Sequence, residues 1–151
     1  MKRFLVCFVA ATALVVADKA PNLSGKWTLD KDKSEFARGA PDSLTATITD
    51  DGKKIRMVQT VSGPQGDRTT ELNIERDAES VNRMGEMEMR TKLRQEGAKL
   101  LEESTFSGPQ GTLTRKSVIT LSSDGKTLTL DGDYESPSGG FHERIVLDKV
   151  D

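Results

Sequence analysis

A spacing that occurs three times constrains this chain more than any other feature. Gly52, Gly97 and Gly125 each sit in a polar turn, and each is followed 12 residues later by a proline, Pro64, Pro109 and Pro137. The prolines lie in related loops, Ser62-Gly63-Pro64-Gln65-Gly66, Ser107-Gly108-Pro109-Gln110-Gly111 and Ser136-Pro137-Ser138-Gly139. Apolar residues alternate with polar ones between these turns. Turn, strand, turn, strand is what such Gly and Pro punctuation means, so the copies predict three hairpins of a β-meander.

One register serves all three. In the first hairpin Val61 faces Arg68, Gln59 faces Thr70, Met57 faces Leu72 and Ile55 faces Ile74. The second sets Phe106 against Leu113, Ser104 against Arg115, Glu102 against Ser117 and Leu100 against Ile119. The third sets Tyr134 against Phe141, Gly132 against Glu143, Leu130 against Ile145 and Leu128 against Leu147. A slip of one residue sends each set to the opposite face, so pattern and turn agree, and these residues form the inner face. Arg56, Thr60, Lys116, Thr127, Thr129, Asp131 and Arg144 fall on the solvated face.

The chain opens Met1-Lys2-Arg3, runs apolar from Phe4 to Val16 and reaches Ala17 before Asp18. A positive start, a short apolar run and a small residue at the cut predict a secretory signal peptide over 1–17, followed by a single domain over 18–151. The run is too short for a membrane span. Cleavage removes 17 of the 151 residues, with Cys7, Lys2 and Arg3, and leaves 134 residues with no cysteine and a net charge of −4. The location expected is periplasmic or extracellular. A mildly acidic domain gives no reason to expect nucleic acid or an anionic membrane as partner. Asn22-Leu23-Ser24 matches a glycosylation sequon, which acts only in a eukaryotic secretory route.

Further along, Leu23 to Leu29 reads as a first strand and Asp30 to Asp42 as a long polar connection anchored by Phe36, either a helical turn or a lid. Leu44, Ala46 and Ile48 alternate with threonines in a second strand; Val81 to Met84 is short; Met87, Met89, Thr91 and Leu93 alternate with charged residues. Ten strands and no helix are expected. Closing the meander into an antiparallel β-barrel removes exposed edges; a two-sheet sandwich is the competing architecture.

Gly25-Lys26-Trp27 at the start of the first strand, followed by this meander, resembles the lipocalins and their calycin relatives, including the fatty-acid-binding proteins. The resemblance implies that Gly25 and Trp27 close one barrel end and that an arginine near the last strand covers the tryptophan. Arg144 is the positional candidate, although the register points it outward. The middle Thr-Asp-Tyr type motif of lipocalins is missing. The chain also looks like small exported lipocalin-like domains of bacteria, through Lys33-Ser34-Glu35-Phe36 and its Asp-Gly-Lys hairpins; that group carries no settled activity.

The inner face is where function is sought. Its glycine-turn end is aliphatic, its middle is polar (Gln59, Thr70, Glu102, Ser104, Arg115, Ser117, Glu143), and its proline-loop end mixes Val61, Arg68, Phe106, Leu113, Tyr134 and Phe141. Unpaired buried polar groups cost about 1–3 kcal/mol each, so a dry core is a poor explanation. Two readings stay open. In one, a wet cavity uses Arg115 and Arg68 to hold a carboxylate, with Met57, Met87 and Met89 among its walls. In the other, Arg115 pairs internally with Glu102 or Glu143. His142, the single histidine, falls on the outer face without a nucleophile beside it. Without a second histidine or a cysteine, neither a zinc site nor a copper(I) site built on Met57, Met84, Met87 and Met89 is expected; methionine is also a common filler of irregular barrel space. Glu102 and Glu143 as an acid/base pair lack a substrate groove.

The sequence therefore predicts an exported, non-enzymatic lipocalin-like barrel that binds a small hydrophobic or amphiphilic ligand, with no cofactor and no metal. The alternative is a structural or protein-binding module that uses the proline-loop end of a filled barrel.

Overall fold

The computed structural model describes residues 19–150. The expected signal peptide, Cys7 within it, lies outside the described residues. Ten strands follow in order: β1 Gly25–Leu29, β2 Ser43–Asp50, β3 Lys54–Gly63, β4 Gly66–Glu75, β5 Glu79–Met84, β6 Met87–Glu96, β7 Lys99–Gly108, β8 Gly111–Leu121, β9 Thr127–Ser136 and β10 Gly139–Val150. No helix occurs among the described residues. All neighbours pair antiparallel in one sheet of order β4-β3-β2-β1-β10-β9-β8-β7-β6-β5.

The three hairpins adopt the register read from their spacing: Ile55 opposite Ile74, Leu100 opposite Ile119 and Leu128 opposite Leu147, through to Val61–Arg68, Phe106–Leu113 and Tyr134–Phe141. Each proline loop is two residues long, closed by Gly63–Gly66, Gly108–Gly111 and Ser136–Gly139. The aliphatic end is the densest part. Leu23, Trp27, Ala46, Ile48, Ile55, Leu93, Leu100 and Leu128 form a buried cluster, with Met57, Ile74, Ile119, Leu121 and Leu147 packed against it.

Closure is incomplete. Among the described residues β4 and β5 share no backbone ladder; side chains join them instead. The Asn82 carboxamide accepts from Asn73 N–H at 2.8 Å and donates to Asn73 C=O at 3.0 Å, and Ser80 Oγ accepts from Glu75 N–H at 2.7 Å. An Arg76–Leu93 bridge pins the glycine-turn end. The seam is thus tied at one end and untied toward the proline loops, so the expected removal of every edge holds for nine of the ten strand junctions, with the ladders of the sheet order as witness.

The glycine-turn end is shut by the segment before β1, where a longer first strand was expected. Leu23 leaves the sheet because its N–H is taken by the buried Asp50 carboxylate at 2.9 Å. Asp50 also accepts from Gly52 N–H and pairs with Arg76, whose Nη2 donates to Pro21 C=O at 2.9 Å. Asn22 Nδ2 donates to Asp50 C=O at 3.2 Å, which engages the sequon asparagine in the same strap. Trp27 is 1% exposed and donates from Nε1 to Leu23 C=O at 3.0 Å. The cation over its ring is Lys149, 5.5 Å from the centroid, and not Arg144. Arg144 points outward, and its backbone pairs with Glu35. Gly25, at φ 149°, explains the Gly-x-Trp spacing: a Cβ there would lie 2.6 Å from Lys149 Cε.

The 30–42 connection forms neither helix nor free lid. Glu35 exchanges both backbone hydrogen bonds with Arg144, at 2.7 and 3.0 Å, which prolongs the sheet beside β10 beyond the end of β1.

Candidate functional site

Two transverse rows of inward residues cross the barrel wall. One runs Leu93–Glu102–Ser117–Gly132–Glu143, the other Thr91–Ser104–Arg115–Tyr134–Phe141. Their overlap is a buried polar cluster. Glu102, its side chain 3% exposed, pairs with Arg115, 15% exposed. The Glu102 carboxylate accepts from Arg115 Nη2 and, at 2.6 Å, from Ser104 Oγ on one oxygen, and from Ser117 Oγ on the other. Ser104 spends its proton on Glu102, so Thr91 Oγ1 donates to it at 2.9 Å. Arg115 Nη1 reaches Tyr134 OH at 3.4 Å. Gly132 permits this density, since a Cβ there would lie 2.9 Å from Ser117 Cβ.

Burial pushes the Glu102 carboxyl up, but the Arg115 charge and the donated hydrogen bonds outweigh it and hold the group below its ordinary value. Burial lowers Arg115 likewise, and the Glu102 charge more than restores it, to above its ordinary value. The pair is a salt bridge, so of the two open readings the inside of the wall takes internal pairing, with Glu102 as the partner. Glu143 lies across Gly132 from this cluster and stays half-buried.

Beside the cluster lies an interior cavity of about 190 Å³. Ile55, Leu72, Leu93, Leu128, Leu130 and Leu147 supply aliphatic wall; Met57, Met84, Met89 and Phe106 supply softer wall; Gln59, Glu102 and Arg115 are its polar members. Arg115 Nε is buried without a hydrogen-bond partner among the described residues. Tyr134, stacked on Phe141 with centroids 4.6 Å apart, fills the β9–β10 side of the interior and limits the cavity there. Arg38, from the 30–42 connection, lies 4.4 Å from the Phe141 centroid and covers the outer ring of that stack. A wider groove of about 540 Å³ at the β4–β5 seam, around Arg56, Asn73, Glu75 and Val81, is open to solvent.

Of the residues singled out by sequence, the cavity gathers Met57, Gln59, Met89, Glu102, Phe106 and Arg115. Ser104 and Tyr134 support Arg115 and Glu102 from behind, and Phe141 supports Tyr134. Arg68, Glu143 and Met87 do not line it; Arg68 is exposed, one pair from a loop tip. Arg68 therefore does not stand with Arg115 as a second cation. Met84 was weighed only as a copper(I) ligand, and Thr91 not as a site residue, although the alternation of β6 already places Thr91 on the inner face. His142 is on the outside, as its parity predicts, with Nδ1 2.8 Å from Asp133 and Nε2 3.3 Å from Asp131.

A ten-stranded antiparallel meander, nearly closed, with a polar cluster set in an apolar interior, has the fold of a lipocalin-like barrel. Solved structures place the chain within that fold. A secretory abundant heat soluble protein from Ramazzottius varieornatus matches at TM-score 0.61 and 14% identity over 86% of this chain and 97% of its own. Zebrafish ileal bile acid-binding protein, complexed with cholic acid, matches at 0.60 and 20% over 85% and 98%. A variant of the fluorescent protein UnaG matches at 0.55 and 15% over 85% and 96%. No family model matches the chain, and no curated protein matches its sequence.

Proposed function

We propose that the chain is an exported, non-enzymatic carrier or scavenger of a small amphiphile, which it holds in the barrel interior. The observation that carries this reading is the 190 Å³ cavity with an apolar wall and three polar members, Glu102 and Arg115 on β7 and β8 and Gln59 on β3. An apolar hollow with few, placed polar groups is the usual form of a small-molecule site. The likeness to a barrel solved with cholic acid supports the same use of the interior. The cavity is small for a steroid. It admits a short-chain amphiphile, and a longer one where the methionines yield. Each buried methylene adds roughly 0.8 kcal/mol, so affinity rises with the length the walls accept.

The proline-loop end gives weaker support for a docking module. Among the described residues the exposed large apolar side chains are Val81 and Val150, and neither lies in a proline loop. Export rests on the apolar run before Asp18.

Titration of short amphiphiles against the methyl signals of Met57 and Met89 tests the carrier reading. Ala46 lines the cavity at 4% exposed, so Ala46→Phe fills it and is expected to abolish their binding with the fold intact. Binding unaffected by Ala46→Phe would place the site outside the barrel.

A further inference from the structure

We infer that Glu102 makes this interior selective for amphiphiles with an uncharged head, such as an alcohol, ketone or amide, over carboxylates. The inference rests on the interior-binding reading above and names the ligand class that site takes. Arg115 is the cation of the cavity wall, and its charge is already matched by Glu102, the acid of the same wall. Glu102 in turn is saturated on both oxygens by Arg115, Ser104 and Ser117. A ligand carboxylate would therefore enter a buried site of zero net charge and lie beside a second carboxylate, with its desolvation uncompensated.

What the wall leaves free suits a neutral group. Gln59 lines the cavity and carries no side-chain hydrogen bond among the described residues. Its carboxamide both donates and accepts. A hydroxyl or carbonyl can be held by such a group without adding charge. Arg68, on the inner face by parity, is exposed and outside the wall, so it supplies no second positive charge. Glu102 is thus a specificity-determining residue that acts through Arg115.

The test uses the mature chain and a matched pair of probes, 1-octanol and octanoate, titrated at pH 7 by methyl NMR on Met57 and Met89. The wild type is expected to bind octanol at least about tenfold more tightly than octanoate. Glu102→Gln frees Arg115 and is expected to reverse the order. Because that variant leaves a buried charge unpaired, the double variant Glu102→Gln/Arg115→Gln is measured beside it; it is expected to keep the preference for octanol. Lowering the pH is expected to raise octanoate binding by the wild type as the probe's own carboxyl protonates. Equal binding of both probes by the wild type overturns the selectivity and leaves the interior site standing. Binding of neither probe overturns the interior reading itself and the selectivity with it.

Discussion

Removing the Asp50 carboxylate should unlatch the segment that seals the glycine-turn end of the barrel. Asp50 has a side chain 0% exposed, and Arg76 one 5% exposed. The carboxylate accepts from Arg76, from Leu23 N–H and from Gly52 N–H, each backbone contact at 2.9 Å. Asp50→Ala leaves the guanidinium buried and unpaired, a change that costs about 3–5 kcal/mol. Arg76→Leu leaves the carboxylate with its two backbone donors and should cost less, about 1–3 kcal/mol. The two sites share one interaction, so they do not add. Removing Arg76 as well takes away the orphaned charge, and the double variant should be at least as stable as Asp50→Ala alone. Urea unfolding followed by Trp27 fluorescence gives the free energies, with unchanged m-values as the check that unfolding stays two-state. A loss below about 1 kcal/mol in Asp50→Ala, or strict additivity in the double variant, would refute the argument that this pair latches the barrel end.

Four further outcomes follow from the geometry. Glu102 is held below its ordinary value of 4.5, so its contribution is fully present above that pH and is lost as pH falls through the lower folded value; the wild type should lose stability in that window more steeply than Glu102→Gln/Arg115→Gln, and parallel pH profiles would count against the pairing. His142, raised above 6.5 by its hydrogen bond to Asp133, acts in the opposite sense, present below 6.5 and lost as pH rises through the raised value. Asn82→Ala removes both hydrogen bonds that stand in for a ladder between β4 and β5, at a cost of about 1–3 kcal/mol, and hydrogen exchange at the Asn73 amide should quicken; unchanged protection would mean the seam is held elsewhere. Gly25→Ala should cost about 1–3 kcal/mol through backbone strain and displace Lys149 from the Trp27 ring; because Trp27 is the one tryptophan of the chain, an unshifted emission spectrum would contradict the close fit.

The hairpins were legible because the proline loops pin their registers, and a period of two then assigns every side chain to a face. Parity gives the face and not the depth. Arg68 and Arg115 share the inner face, yet Arg68 sits next to a loop tip where water reaches it, and Arg115 sits at mid-strand against Glu102. Likewise Glu102 and Glu143 share a row, but Ser117 and Gly132 separate them, and Arg115 takes the acid on the adjacent strand. The β4–β5 seam and the Asp50–Arg76 latch were not legible. Both are made by single polar side chains, and neither hydrophobic alternation nor turn residues say which polar group such a side chain meets. The resemblance to lipocalins led to the right barrel end at Trp27, but the covering cation comes from Lys149, two pairs along the β1–β10 ladder from the position of Leu147 opposite Leu29.

Native mass spectrometry of the protein purified from its own source without detergent tests the carrier account most directly. The account predicts a chain of 134 residues, its first 17 removed, carrying a small adduct that disappears on organic extraction. A bare mass that takes up nothing from a lipid extract would contradict it.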